Sequence, residues 1–183
     1  FHFNNDPKGA TNALAEINRL AGIRGWAYRN APDLIVLGRT ALKLDADPKL
    51  VLDKLYHPAR EHDPNFAGTA QAIGDLALSK SDYELAGRTF QLALKRHPKN
   101  ADLHFGAARA FAPSDGKTMT QHLQATLTAN PNHAGARLLI ADRLIDREAY
   151  DEAETQLSKV LAVNPHHPEA WAYRGVIAHL RAD

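Results

Sequence analysis

The chain has 183 residues, 44% of them apolar and 23% charged, which excludes a disordered segment and allows one medium domain or a short array. Its 22 basic and 21 acidic residues are interspersed and leave a formal charge of +1, so the concentrated basic stripe that meets a phosphate backbone is missing and nucleic acid is not an expected partner. With no cysteine, disulfides, thiolate metal sites and a cysteine nucleophile are all excluded.

Abundant alanine favours closely packed helices, because it loses no side-chain entropy in a helix and lets backbones approach. Residues 10–29, ATNALAEINRLAGIRGWAYR, predict a helix ending near Gly22 or Gly25, with Trp26 and Tyr28 after it. We read 1–31 as a leading helix or cap. The opening at Phe1, where a natural start would be methionine, points to a piece of a longer polypeptide or a processed product. No apolar stretch reaches the roughly 18–20 residues that cross a bilayer, and residues 1–30 lack the order of a signal peptide. The expectation is a soluble chain, cytoplasmic or periplasmic.

In 32–65, Leu34, Leu37, Gly38 and Ala41 mark a first helix, and Leu50 to Arg60 a second after Asp47-Pro48. In 66–99, Ala70, Ile73, Gly74 and Ala77 share one helical face; after the polar turn KSD, Ala86, Phe90, Ala93 and Leu94 share another. His97-Pro98 stops that second helix, since proline donates no backbone hydrogen bond and disfavours the helical conformation before it. In 100–132, ADLHFGAARAFA predicts a first helix. PSDGKTMTQHLQATLTAN is polar and one residue short, with Met119, Leu123 and Thr126 at core positions, so this pair is expected to be the softest. The 133–166 segment repeats the pattern through Ala141, Leu144, Tyr150, Ala153, Leu157 and Val160, and 167–183 supplies one terminal helix.

Prolines at 32, 64, 98, 131 and 165 punctuate these segments at intervals of 32, 34, 33 and 34 residues. Such a period marks units that cannot bury their own apolar faces and stack on neighbours. The predicted class is all-α, a solenoid of antiparallel helix pairs. Gly74 and Ala86 are expected to face each other where two helices cross, Phe90 and Leu157 to fill wider gaps, and Tyr83 and Tyr150 to bury a ring while keeping the hydroxyl wet.

Gly74, Tyr83, Ala86, Phe90, Ala93 and Pro98, and again Ala141, Leu144, Tyr150, Ala153, Leu157, Val160 and Pro165, resemble the tetratricopeptide repeat, a 34-residue helix-turn-helix unit. The resemblance covers most of the chain and implies a right-handed superhelix whose first helices line a concave groove. It also implies that repeat positions 2, 5, 9 and 12 face that groove. These map to Gln71, Asp75 and Leu78; Asp102, Phe105 and Arg109; Leu138, Asp142 and Ile145; and Glu169, Ala172, Val176 and His179. The Lys and Asn clamp with which some members hold acidic chaperone tails is missing, Gln71, Asp75, Phe105 and Arg109 standing among the inward positions. The stretch NPHHPEAWAYRGVIAHLRAD also resembles repeat regions joined to zinc peptidase-like domains in large bacterial proteins.

Signals for chemistry are sparse. His57, Glu61, His62 and Asp63 cluster but form no His-Glu-x-x-His, and His57 and Glu61 read as a local i, i+4 pair. The turn histidines His166 and His167 read as solvated. Asp142, Asp146, Asp151 and Glu152 gather near one turn, where Asp151 and Glu152 complement a helix dipole. No nucleophile elbow, phosphate loop or dinucleotide fingerprint occurs, and no cofactor or metal is expected. The sequence therefore predicts a non-catalytic scaffold that binds a protein or peptide segment, or another domain of the same polypeptide, in the groove. The alternative is an accessory module that positions substrate for a catalytic domain outside this chain. End faces around Trp171 or Ile177 would allow weak homodimerisation.

Overall fold

The computed structural model describes residues 6–21 and 30–182. Among these residues every regular element is helical. The expectations for Trp26 and Tyr28 lie outside them. The chain divides into two compact units, 1–97 and 98–183.

The first unit opens with α1 (Pro7–Ala21), which starts where Asp6 Oδ1 accepts from the Gly9 amide at 2.8 Å; the expected helix end near Gly22 or Gly25 lies outside the described residues. Next come α2 (Ala31–Lys43), α3 (Pro48–Val51), a π-helical turn (Leu52–Tyr56) and α4 (His57–His62). The pair α5 (Ala67–Ser79) and α6 (Tyr83–Leu94) follows. The expected single helix from Leu50 to Arg60 is thus a helical run interrupted by one wide turn, in which the His57 amide donates to Leu52 O, five residues back. Pro58 is the physical cause. It cannot donate to the carbonyl of Lys54 and its ring would strike it, so the preceding turn opens.

The second unit holds α7 (Ala101–Phe111), α8 (Gly116–Ala129), α9 (Ala134–Ile145), α10 (Tyr150–Val163) and the terminal α11 (Pro168–Leu180). Its core includes two clusters among the described residues. Ala108, Met119, Leu123 and Ala136 fill one; Leu138, Ala141, Ala153, Leu157, Val160, Ala170 and Ile177 belong to the other. In the first unit Ala31, Ile35, Val51, Tyr56, Ala59 and Ala72 share a core.

Within each pair, the size of one residue on the first helix matches one on the second. A Cβ on Gly38 would run into the Tyr56 ring, and one on Gly74 into the Phe90 ring. The atoms that a methyl on Gly74 would meet first thus belong to Phe90, on the second helix of the same pair. At the corresponding place in α9, Ala141 shares a core with Leu157, and in α7 Ala108 shares one with Leu123. Glycine receives an aromatic ring and alanine an aliphatic chain, so the summed volume is held near constant.

Turns repeat as faithfully as the cores. After α2, α5 and α9 a single residue takes positive φ, Asp45 at 60°, Ser81 at 58° and Glu148 at 59°. The next amide then donates back to the helix, Ala46 to Ala41 O at 3.0 Å, Asp82 to Ala77 O at 2.9 Å and Ala149 to Leu144 O at 2.9 Å. This is a Schellman closure, which satisfies carbonyls that the helix end leaves orphaned. After α7 the Pro113–Gly116 segment turns instead through amides of Ser114 and Asp115 that donate to Phe111 O, and Asp115 Oδ1 caps α8 at the Thr118 amide.

Candidate functional site

The proline that ends each repeat also organises the start of the next first helix. Two residues after it stands the N-cap: Asn100, His133 or His167 accepts a hydrogen bond from the amide three residues on. Six residues after the proline, a side chain returns to the proline carbonyl. His104 Nε2 lies 3.0 Å from Pro98 O, Arg137 donates twice to Pro131 O, and Trp171 Nε1 donates to Pro165 O at 2.8 Å. At Pro64 the sixth residue is Ala70, with no donor, and Arg96 reaches the carbonyl instead at 2.9 Å. His167, expected to be merely solvated, is thus a helix cap.

These starts aim the first-helix side chains. In the first unit Gln71, Asp75 and Leu78 are half-buried on α5, with Gln71 Nε2 donating to Asp75 Oδ2 at 3.1 Å. Gln71 Oε1 is buried without a hydrogen-bond partner.

The second unit carries a more built surface. His133 Nδ1 accepts from the Ala136 amide, so its proton sits on Nε2, which lies 3.3 Å from Asp102 Oδ1. The same imidazole packs on the Phe105 ring at 4.6 Å between centroids, and a Cβ on Gly135 would approach that ring to 2.8 Å. Phe105 is held in place from α9, half-buried, with the exposed Arg109 guanidinium 5.8 Å from its centroid. On the next step Tyr173 of α11 donates its hydroxyl to Asp142 Oδ1 at 3.1 Å. Burial first, and then the neighbouring Asp142 carboxylate, push the Tyr173 phenol up to about 12. It is a donor at any physiological pH.

Leu138 departs from the expected face. It is 4% exposed and packs in the core with Ala141 and Leu157, so it cannot touch a partner of the folded chain. Its position on α9 lets the side chain fall between neighbouring helices, where apolar burial outweighs exposure. Ile145 is half-buried against the same core; Glu169, Ala172, Val176 and His179 are exposed on α11. Of the end-face residues, Ile177 is buried at 2% exposure while Trp171 stays 52% exposed. His133 and Tyr173 escaped the sequence reading. Their role depends on an asparate-bearing neighbouring helix at a particular height, which spacing along one helix does not reveal.

Elsewhere, His57 pairs with Asp53 at 3.7 Å and not with the expected Glu61. No group of three potential metal-ligating side chains occurs among the described residues, and none of the described helices is long and apolar enough to cross a membrane.

Two tetratricopeptide repeat models match residues 72–117 and 120–177, together more than half of the sequence. The chain belongs to the tetratricopeptide-repeat family. Among solved structures, this tetratricopeptide-repeat chain is similar to MamA from Desulfovibrio magneticus RS-1, at 14% identity and a TM-score of 0.61 over 90% of this chain and 98% of that one. It is also similar to YrrB, described as a TPR protein with an unusual peptide-binding site, at 22% identity and a TM-score of 0.56 over 94% and 84%. A further MamA structure gives 17% identity and 0.59 over 87% and 90%. These likenesses establish the all-α repeat fold. No curated protein matches the sequence.

Proposed function

We propose that the chain is a protein-interaction scaffold that holds a partner segment against its first helices and makes or breaks no bond. Family membership supports an interaction role, and the similarity to YrrB, a protein titled for its peptide-binding site, favours a peptide or an extended segment as the partner. The observation that carries the reading is the Phe105–Arg109 pair. An apolar ring and a guanidinium stand side by side on α7, and the ring is fixed by His133 and Gly135 of the next first helix. A preset aromatic anchor beside a forked cation binds with little ordering cost. Asp102, 3.3 Å from His133 Nε2, and Asp142, which accepts from the Tyr173 hydroxyl, supply further acceptors on the first helices.

The partner suited to this face carries an apolar side chain next to a carboxylate, with donors flanking them. Capture of partners by the full chain, identified by mass spectrometry, should be reduced about tenfold or more by Phe105→Ala and by Arg109→Ala. Undiminished capture by both variants, with folding intact by circular dichroism, would reject this surface. Leu138→Ala is the matching control, since it should lower stability by about 2–5 kcal/mol without a selective effect on capture.

A further inference from the structure

A cleft in the first unit lies where the end of α4, the 63–66 turn, the first half of α5 and the last turn of α6 meet. It encloses about 330 Å³, near the lower end of the range of about 300–1,000 Å³ for small-molecule sites. Its walls are apolar, with Phe66, Ala70, Ile73 and Leu92 as the larger contributions. Its rim is cationic through Arg60, Lys95 and Arg96, His97 lines it beside them, and no aspartate or glutamate does. Arg96 is anchored by its bond to Pro64 O, which keeps the guanidinium at the mouth. Arg60 and Lys95 have no acidic partner among the described residues. Glu61 and Asp63 are close in the chain but outside the lining, and Asp63 Oδ1 is bonded to the Asn65 amide.

One wall residue is chemically unfinished. Thr69 is 2% exposed and its hydroxyl has no hydrogen-bond partner. Thr40, Thr120, Thr126, Thr128 and Thr155 all donate to the carbonyl four residues back. Thr69 stands in the first turn of α5, where the residue four back, Asn65, is outside the helix. A buried hydroxyl left unpaired is costly.

We propose that this cleft binds a small amphiphilic carboxylate, with a short alkyl or aryl body against Phe66, Ile73 and Leu92 and its carboxylate at the Arg60 and Lys95 rim. Apolar walls alone would take any hydrocarbon; three cationic side chains, Arg60, Lys95 and Arg96, without a carboxylate among them select an anion. None of Gln71, Asp75 and Leu78 lines the cleft, so the site is separate from the partner-binding face.

The test is a titration of the ¹⁵N-labelled full chain with octanoate, followed by amide shifts, beside octanol and acetate. Octanoate should saturate and move amides within 66–73 and 92–97, with octanol and acetate each at least tenfold weaker. The double variant R60Q/K95Q, which leaves the core untouched, should bind octanoate at least tenfold more weakly at an unchanged melting temperature. Ala70→Leu, which fills the cleft, should abolish binding. Equal binding of octanol, shifts confined to other residues, or full affinity in R60Q/K95Q would overturn the proposal. So would a leucine-terminated tripeptide that binds there through its free carboxylate when octanoate does not.

Discussion

Gly74 and Gly175 hold the same place in their repeats and have opposite surroundings. A methyl on Gly74 would enter the ring of Phe90, which is 0% exposed and has nowhere to go; a methyl on Gly175 meets nothing within 4 Å. Helix propensity favours alanine by about 1 kcal/mol at both positions, while overpacking costs about 1–3 kcal/mol at the first alone. Gly74→Ala should therefore destabilise in urea titrations, and Gly175→Ala should stabilise by about 0.5–1 kcal/mol. Gly74→Ala combined with Phe90→Leu reproduces the Ala141 and Leu157 arrangement and should recover most of the loss, giving a coupling that a double-mutant cycle reads directly. A second residue-scale device is the histidine pair of α7 and α8. His104 Nε2 faces the Pro98 carbonyl and so carries the proton; His104 Nδ1 then accepts from His122 Nδ1–H at 3.0 Å. Burial first, and then the proximity of His104, push the His122 pKa below the ordinary imidazole value. A depressed imidazole pKa means that the neutral form belongs to the fold. Its contribution is complete above the unfolded pKa of about 6.5 and is lost as pH falls through that value toward the lower folded one. Chemical denaturation at pH 7 and pH 5 should show a smaller acid loss in His122→Asn, which keeps a donor at the Nδ1 position, than in the wild type.

At the scale of the element, the Schellman turns after α2, α5 and α9 place Asp45, Ser81 and Glu148 in the left-handed region, where an L side chain costs about 1–2 kcal/mol. Glycine removes that strain and adds unfolded-state entropy of about 0.5–1 kcal/mol. Ser81→Gly and Glu148→Gly should each stabilise by a few tenths to about 1 kcal/mol, measured as a rise in melting temperature, whereas Ser81→Val should destabilise. KSD was legible as a turn from its polarity. That its middle residue carries positive φ was not, because serine is no marker for that conformation. The π turn at Leu52–Tyr56 was hidden for a similar reason: Pro58 signals a break, but whether the chain stops or widens depends on Tyr56 being seated against Gly38.

For the whole molecule, the proposed site follows from how the first helices of the second unit are locked to one another. Asp102 with His133, and Asp142 with Tyr173, tie consecutive first helices of the second unit. Tyr173→Phe removes a donor whose partner, Asp142, is half-buried, and should cost about 1–3 kcal/mol in stability. If Asp142 also contacts the bound partner, the same variant should change partner affinity, which an equilibrium binding assay reads separately from the melt.

The proline period, the small residues at helix crossings and the alternation of apolar faces fixed the all-α repeat class from sequence alone, because those features act within one helix or one turn and their causes are local. Which face each side chain finally serves was settled only by packing. Leu138 matches the binding-face spacing yet is buried, and His133 looks like a turn residue yet caps α9 and holds Phe105. Helical spacing specifies direction around an axis; the distance to the neighbouring helix, which decides between core and surface, exists only once the pairs are stacked.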